Sequence, residues 1–237
     1  MLIFAHRGAS GYAPENTLKA MTLAIELGAT AIELDIHAVE GEVLVYHDRR
    51  LETKTHGQGI IDQQSLEYIS QQRLSGEPIP TLWQVMSALP RSTLVNIELK
   101  GHNVLVPFLA LYPRLISELG YCADKLLISS FNHQFLLECR RQFPRSRIAP
   151  LIEGVPLDLC GCATQLQAQS VHLDINFLTD DMLNDAQQRN LDVYAYTVDY
   201  ADDILALKAK GVKGLFCNYP DRAAAIVAQT TMTASTR

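Results

Sequence analysis

The chain of 237 residues is sparing in features that would place it in several large classes. Charged residues make up only 19 % of it, against roughly 25 % in an average globular protein, while 48 % is hydrophobic. A disordered chain needs the reverse balance. Basic residues are in deficit, 20 against 26 acidic ones, for a net charge of −6. That excludes a non-specific nucleic-acid or anionic-membrane binder, which needs clustered positive charge. No apolar run approaches the roughly 20 residues of a membrane-spanning helix, so stable membrane insertion is not expected. Cysteines number five, at 122, 139, 160, 162 and 217, an odd and scattered set that fits reduced thiols rather than a disulfide framework. Cys160 and Cys162 have no second Cys/His pair nearby to complete a zinc site. The apolar start, Met1 to Ala5, runs straight into His6-Arg7-Gly8 without the basic segment and cleavage site of a signal peptide. The thiols and the N-terminus predict a cytoplasmic protein; monomer and homodimer both stay open. No linker composition divides it, so residues 1–237 read as one domain with a frayed tail at 230–237.

What is present is alternation. Short β-rich apolar runs at 2–5, 31–37, 93–99, 126–130, 147–151, 170–173, 192–198 and 213–217 are each followed by a helical pattern. The helices are expected at 17–27, 81–88, 107–119, 133–142, 157–168, 179–189, 201–210 and 222–228. Asn16 or Thr17 can cap the first, Thr179 the sixth, and Gly28 and Gly211 stand at helix ends. Strictly alternating strands and helices predict a parallel sheet covered by helices. Eight units in a chain of this length predict a closed (β/α)8 TIM barrel, with an open doubly wound sheet as the other architecture. Residues 40–80 break the rhythm with an extra strand pattern, Val43 to Tyr46, and a short helix near 65–70. They read as a small insertion after the second strand.

Two strands contradict the apolar habit of buried parallel sheets. In Ile32-Glu33-Leu34-Asp35-Ile36-His37 the two-residue period puts Glu33, Asp35 and His37 on one face, and Asn96, Glu98 and Lys100 share a face of the third strand. Carboxylates inside a barrel mouth are costly unless a positive group compensates them. Glu33, Asp35 and Glu98 stand at strand C-terminal ends, where barrel active sites lie. Two readings follow: one hard divalent cation, Mg2+ or Ca2+, held by oxygen ligands, or a structural ion-pair network with Lys100 and Arg7. Two histidines add chemistry. His6 ends the first strand and His47 ends the insertion's extra strand; beside an acidic metal site they fit a general acid/base pair, because imidazole titrates near neutrality. His37, His56, His102, His133 and His172 lack that context and read as structural.

The ordered set His6-Arg7-Gly8, Ala13-Pro14-Glu15-Asn16-Thr17, Glu33-x-Asp35, His47-Asp48, Ile79-Pro80-Thr81-Leu82, Asn96-Ile97-Glu98-Leu99-Lys100, Ser130-Phe131, Tyr196-Thr197-Val198 and Gly214-Leu215-Phe216 resembles the glycerophosphodiester phosphodiesterase family over almost the whole chain. The resemblance implies a TIM barrel with a small insertion, a divalent metal at Glu33, Asp35 and Glu98, and catalysis by His6 and His47. It places Arg7, Lys100, Glu15, Phe131 and Tyr196 around the phosphate and substrate. The implied reaction is hydrolysis of glycerophosphodiesters to sn-glycerol 3-phosphate and an alcohol such as choline, ethanolamine or glycerol. Two of the departures from the family pattern fall near the end of the chain. The family's W-T-V-N reads Tyr196-Thr197-Val198-Asp199, and its T-D-x-P reads Cys217-Asn218-Tyr219-Pro220. Neither falls on a metal or histidine position, so the reaction class is unaffected. The rival readings are a related barrel phospholipase or lyase acting on an intact lysolipid, and a non-catalytic glycerophosphodiester sensor.

Overall fold

The computed structural model describes residues 1–234, with side chains to 229. Its strands are β1 (Leu2–Ala5), β2 (Ala31–Val39), β3 (Glu42–Val45), β4 (Arg73–Leu74), β5 (Glu77–Pro78), β6 (Leu94–Leu99), β7 (Leu126–Ser130), β8 (Arg147–Ile152), β9 (Ser170–Asp174), β10 (Asp192–Tyr196) and β11 (Gly214–Cys217). The helices are α1 (Leu18–Glu26), α2 (Leu66–Ser70), α3 (Leu82–Ala88), α4 (Leu105–Ser117), α5 (His133–Gln142), α6 (Gly161–Gln165), α7 (Asp180–Gln188), α8 (Ala201–Ala209) and α9 (Pro220–Ala234). Strands β1, β2 and β6 to β11 pair in parallel around a ring that closes through β1–β2 and β1–β11. The expected TIM barrel is therefore present, and the open sheet is not.

The strands' two faces divide the apolar residues. Outward side chains such as Ile32, Leu34, Ile97 and Ile128 pack against the helices, while Phe4, Leu94, Leu127, Tyr194 and Phe216 fill the barrel floor. Phe4 stacks on Phe216 at 4.6 Å, and the fully buried His172 lies against the Tyr194 and Phe216 rings at 5.4 and 4.9 Å. Burial lowers the His172 pKa to about 3, so this ring is a neutral part of the plug. The carboxylates Glu33, Asp35 and Glu98 lie further along the strands, above this floor. It keeps the buried carboxylates at the open end.

The insertion carries its own small core of Val39, Leu44, Tyr46, Leu51, Ile61, Ile69 and Leu74. Its strand β3 runs antiparallel to β2, pairing Ile36 with Val45, and the Tyr46 N–H bonds to the Asp35 carbonyl at 3.0 Å. The next residue, His47, is thereby delivered to the barrel mouth. Several expectations need correction. The helix expected at 157–168 is only α6, because a turn with Leu159 at φ +52° and Cys160 at its N-cap occupies the preceding residues. The two-residue strands β4 and β5 form a hairpin too short to give a period. The tail expected from 230 begins as helix, α9 running to Ala234, and residues 235–237 lie outside the described residues.

Leu51 is wholly buried in the insertion core. Leu51→Ala should cost about 2–5 kcal/mol in global stability and also lower activity by loosening His47. Thermal unfolding checks the first effect and steady-state turnover the second.

Candidate active site

The residue after β1 sets the site's floor plan. His6 continues the strand, Arg7 turns back at φ +57° and Gly8 follows at φ +80°. A side chain at Gly8 would lie 2.6 Å from the Ala20 backbone of α1, so only glycine lets the chain turn this closely. The turn aims the Arg7 backbone N–H at Glu33 Oε2, 2.8 Å away, and its guanidinium at Asp35, 3.2 Å from Nε to Oδ2. Thr17 caps α1 by accepting from the Ala20 N–H. That frees Asn16, at φ +59°, for the site: its Nδ2 donates to Asp35 Oδ2 at 2.9 Å.

In the β2–β6 ladder Glu33 pairs with Asn96 and Asp35 with Glu98. Paired residues of parallel strands point the same way, so three carboxylates converge, each 6 % exposed or less. One oxygen from each lies within 4.8 Å of the others. Glu33 Oε1, Asp35 Oδ1 and Glu98 Oε1 accept no hydrogen bond among the described residues. The Lys100 ammonium forms ion pairs with Glu98 Oε1 at 2.8 Å and with Asp35 Oδ1 at 3.7 Å. Three converging, buried carboxylate oxygens, those of Glu33 and Asp35 without a hydrogen bond and that of Glu98 met only by the Lys100 ammonium, fit a hard divalent cation. Formally, three carboxylates face two cations, so a divalent ion would turn a net negative site into one with a single positive charge.

The titration behaviour follows from this crowding. Burial first, then Asp35 and Glu98, push Glu33 well above the ordinary carboxylate range. Burial and Asp35 raise Glu98 to about 7. Burial also acts to raise Asp35, but Arg7 and Lys100 override it and hold Asp35 at about 2. His6 is lowered to about 3 by burial and then Arg7, and His47 is lowered, chiefly by burial.

Each histidine is tied down through Nδ1. His47 Nδ1 lies 2.6 Å from Asp48 Oδ1, and its carbonyl accepts from His37 Nε2 at 3.2 Å. His6 Nδ1 lies 2.9 Å from Asn218 Oδ1, and its Nε2 faces Glu33 Oε2 at 4.0 Å. Eight of the ten residues singled out in the sequence line one cavity of about 260 Å3: His6, Arg7, Glu33, His47, Glu98, Lys100, Phe131 and Tyr196. Asp35 lies beneath the charges of Arg7 and Lys100. Glu15 stands outside, bridging Arg7 at 3.0 Å and Lys54 at 3.2 Å. Phe131 and Tyr196 meet edge-on at 6.1 Å as an aromatic wall, with the Tyr196 hydroxyl donating to the Ile152 carbonyl. An open groove of about 750 Å3 shares His47, Lys100 and Phe131 with the cavity, but the carboxylates do not face it.

Sequence reasoning missed Glu153 and Asp174, which also line the cavity, and the site roles of Asn16, Asn218 and Asp199. Glu153, Asp174 and Asn218 lie on the inward parity of β8, β9 and β11. The parity seen in β2 and β6 points to them, but each stands alone on its strand, at or just past its end.

The chain matches the sequence model of the glycerophosphoryl diester phosphodiesterase family over residues 6–222. It belongs to that family. A glycerophosphodiester phosphodiesterase of Caldanaerobacter subterraneus subsp. tengcongensis is 30 % identical over 93 % of this chain and 95 % of its own. A putative one of Bacillus subtilis, YhdW, is also 30 % identical, over 93 % and 96 %. The structure of an Oleispira antarctica phosphodiesterase in complex with the product sn-glycerol-3-phosphate superposes with a TM-score of 0.88 at 25 % identity, covering 96 % of this chain and 97 % of that one. The barrel described above is thus a glycerophosphodiester phosphodiesterase, an enzyme of the phosphoric diester hydrolase class.

Glu98→Gln in chelator gives a direct test of the crowding. With its folded value raised to about 7 from 4.5, Glu98 contributes stability present below pH 4.5 and lost as pH rises through 7. His6 and His172, lowered in the fold, titrate in the opposite sense across part of this window, so the variant is the reference. The melting temperature of wild type minus that of Glu98→Gln should fall between pH 5 and 8 in EDTA, and millimolar Mg2+ or Ca2+ should reverse the fall. A difference independent of pH would contradict the crowding.

Proposed function

We propose that this single-domain enzyme hydrolyses glycerophosphodiesters to sn-glycerol 3-phosphate and an alcohol, choline, ethanolamine or glycerol, by histidine acid–base catalysis at a divalent metal. The observation that carries the reading is the placement of His6 and His47 on one cavity with Glu33 and Glu98, two members of the buried carboxylate cluster that Asp35 completes. The product named for the Oleispira antarctica relative agrees with it.

Glu33, Asp35 and Glu98 would hold Mg2+ or Ca2+, which when bound supplies Lewis-acid polarisation of the phosphoryl oxygens. Arg7 and Lys100 add fixed positive charge against the negative charge that grows on those oxygens during attack. Glu15 steadies the Arg7 guanidinium from behind. The Phe131–Tyr196 wall packs on the carbon skeleton of the substrate and excludes water from one side.

With Nδ1 engaged, each histidine works through Nε2. One takes the proton from the glycerol 2-hydroxyl, whose oxygen attacks the adjacent phosphorus. The other protonates the departing alcohol oxygen as its bond to phosphorus breaks. The attacking hydroxyl is part of the substrate, so the step gains from proximity and gives a five-membered cyclic phosphate. Water then opens that ring between phosphorus and the 2-oxygen, the two histidines exchanging roles, and sn-glycerol 3-phosphate leaves. The free thiols of all five cysteines suit a cytoplasmic setting for this chemistry.

Incubation with glycerophosphocholine, coupled to detection of glycerol 3-phosphate, tests the reading. Product should form with Mg2+ or Ca2+ and disappear in EDTA, and His6→Ala and His47→Ala should each lose at least about a hundredfold in kcat. Turnover that survives thorough chelation, or near-normal turnover by His47→Ala, would refute it. Hydrolysis of lysophospholipids in preference to every glycerophosphodiester would assign the chain to the lipid-acting reading instead.

A further inference from the structure

The acid and the amide at 199 and 218 are exchanged relative to the family pattern, and in the fold the two side chains touch. Asn218 follows β11 and Asp199 lies in the loop after β10. Asn218 Nδ2 donates to Asp199 Oδ2 at 2.6 Å, and the Asn218 backbone N–H donates to Asp199 Oδ1 at 2.7 Å. A carboxylate offers only acceptors, so the amide atom facing Asp199 is the nitrogen and the opposite atom is the carbonyl oxygen. That oxygen lies 2.9 Å from His6 Nδ1. Ser10 Oγ, 2.7 Å from both Asn218 Oδ1 and the His6 carbonyl, closes the cluster from the other side.

We propose that Asp199 and Asn218 are positioning residues for His6: the carboxylate fixes the amide, and the amide fixes the ring. A ring nitrogen can bond to Asn218 Oδ1 only as N–H, so the His6 proton resides on Nδ1 and the lone pair on Nε2. Nε2 is the atom turned toward Glu33 and the cavity. Without Asp199 the amide of Asn218 is free to rotate by half a turn, presenting an NH2 to Nδ1. The ring then carries its proton on Nε2 and has no lone pair for the reaction. The exchange is reciprocal, since an aspartate at 218 beside an asparagine at 199 makes the same hydrogen bonds in the same places. Either half of the exchange alone does not. Asn218→Asp sets two carboxylates 2.6 Å apart, and Asp199→Asn removes the anion that orients the amide.

The inference rests on the proposed proton transfer by His6, but its test has a readout that needs no turnover. Long-range 1H–15N spectra of histidine-labelled protein, with His6→Gln for assignment, report which ring nitrogen of His6 carries the proton. Kinetics with glycerophosphocholine at saturating Mg2+ supply the second readout. The expected result is an Nδ1–H tautomer in wild type that gives way to Nε2–H or a mixture in Asp199→Asn. Both single variants should lose about tenfold to a hundredfold in kcat with KM within about twofold. The double variant Asp199→Asn/Asn218→Asp should return to within about threefold of wild type and regain the Nδ1–H tautomer. A wild-type Nε2–H tautomer, single variants with unchanged kcat, or a double variant as impaired as the product of the two losses would each overturn the proposal. Absence of turnover in wild type would count against the proposed activity alone, because the spectra still decide the relay.

Discussion

Asp35 and Glu98 sit side by side on adjacent parallel strands, with Glu33 two residues before Asp35, and all three side chains are buried. Like charges at this separation inside a protein are strongly unfavourable, so the surrounding chain is built to offset them. Arg7 and Lys100 bring positive charge, the Arg7 backbone N–H bonds to Glu33, and Asn16 bonds to Asp35. The offset is partial. Glu33 and Glu98 remain pushed toward the protonated form, and one oxygen of each carboxylate has no hydrogen bond among the described residues. A divalent cation would remove this residual cost and would convert an acidic mouth into one able to attract a monoanionic diester. The net charge of −6 for the whole chain therefore does not oppose an anionic substrate.

The fold serves the same constraint. An aromatic floor of Phe4, Tyr194 and Phe216 blocks the lower barrel, so the inward residues near the strands' C-terminal ends are the ones left to face solvent and ligand. The insertion supplies what the barrel strands cannot. Pairing of β3 with β2 carries His47 to the cavity that His6 also lines, with Asp48 holding its ring.

The barrel and the carboxylate cluster were legible because both are periodic. Strand and helix alternated along the chain, and in β2 and β6 charged residues occupied one parity of otherwise aliphatic strands, a pattern with no explanation in a plain core. The less legible parts depend on contacts between residues distant in sequence. Asn16 and Thr17 both look like helix caps, and only the fold shows that Thr17 takes the cap while Asn16 reaches Asp35, 19 residues on. Asp199 and Asn218 read as two separate departures from the family pattern, and their hydrogen bonds make them one exchange. Glu153 and Asp174 fall on the inward parity but come singly, without the repeated charge that marked β2. The short α6 was overestimated because its apolar spacing continues through a turn that the backbone makes at Leu159.

The central claim is that the three carboxylates form a cation site rather than a closed ion-pair network with Arg7 and Lys100. Crystals soaked in Mn2+ and measured at the manganese absorption edge test it directly. The account predicts a single anomalous peak bonded to one oxygen each of Glu33, Asp35 and Glu98, at roughly 2.0 to 2.3 Å, the range of hard divalent ions. Crystals without a peak at this position, with Lys100 still paired to Glu98 and Asp35, would contradict it.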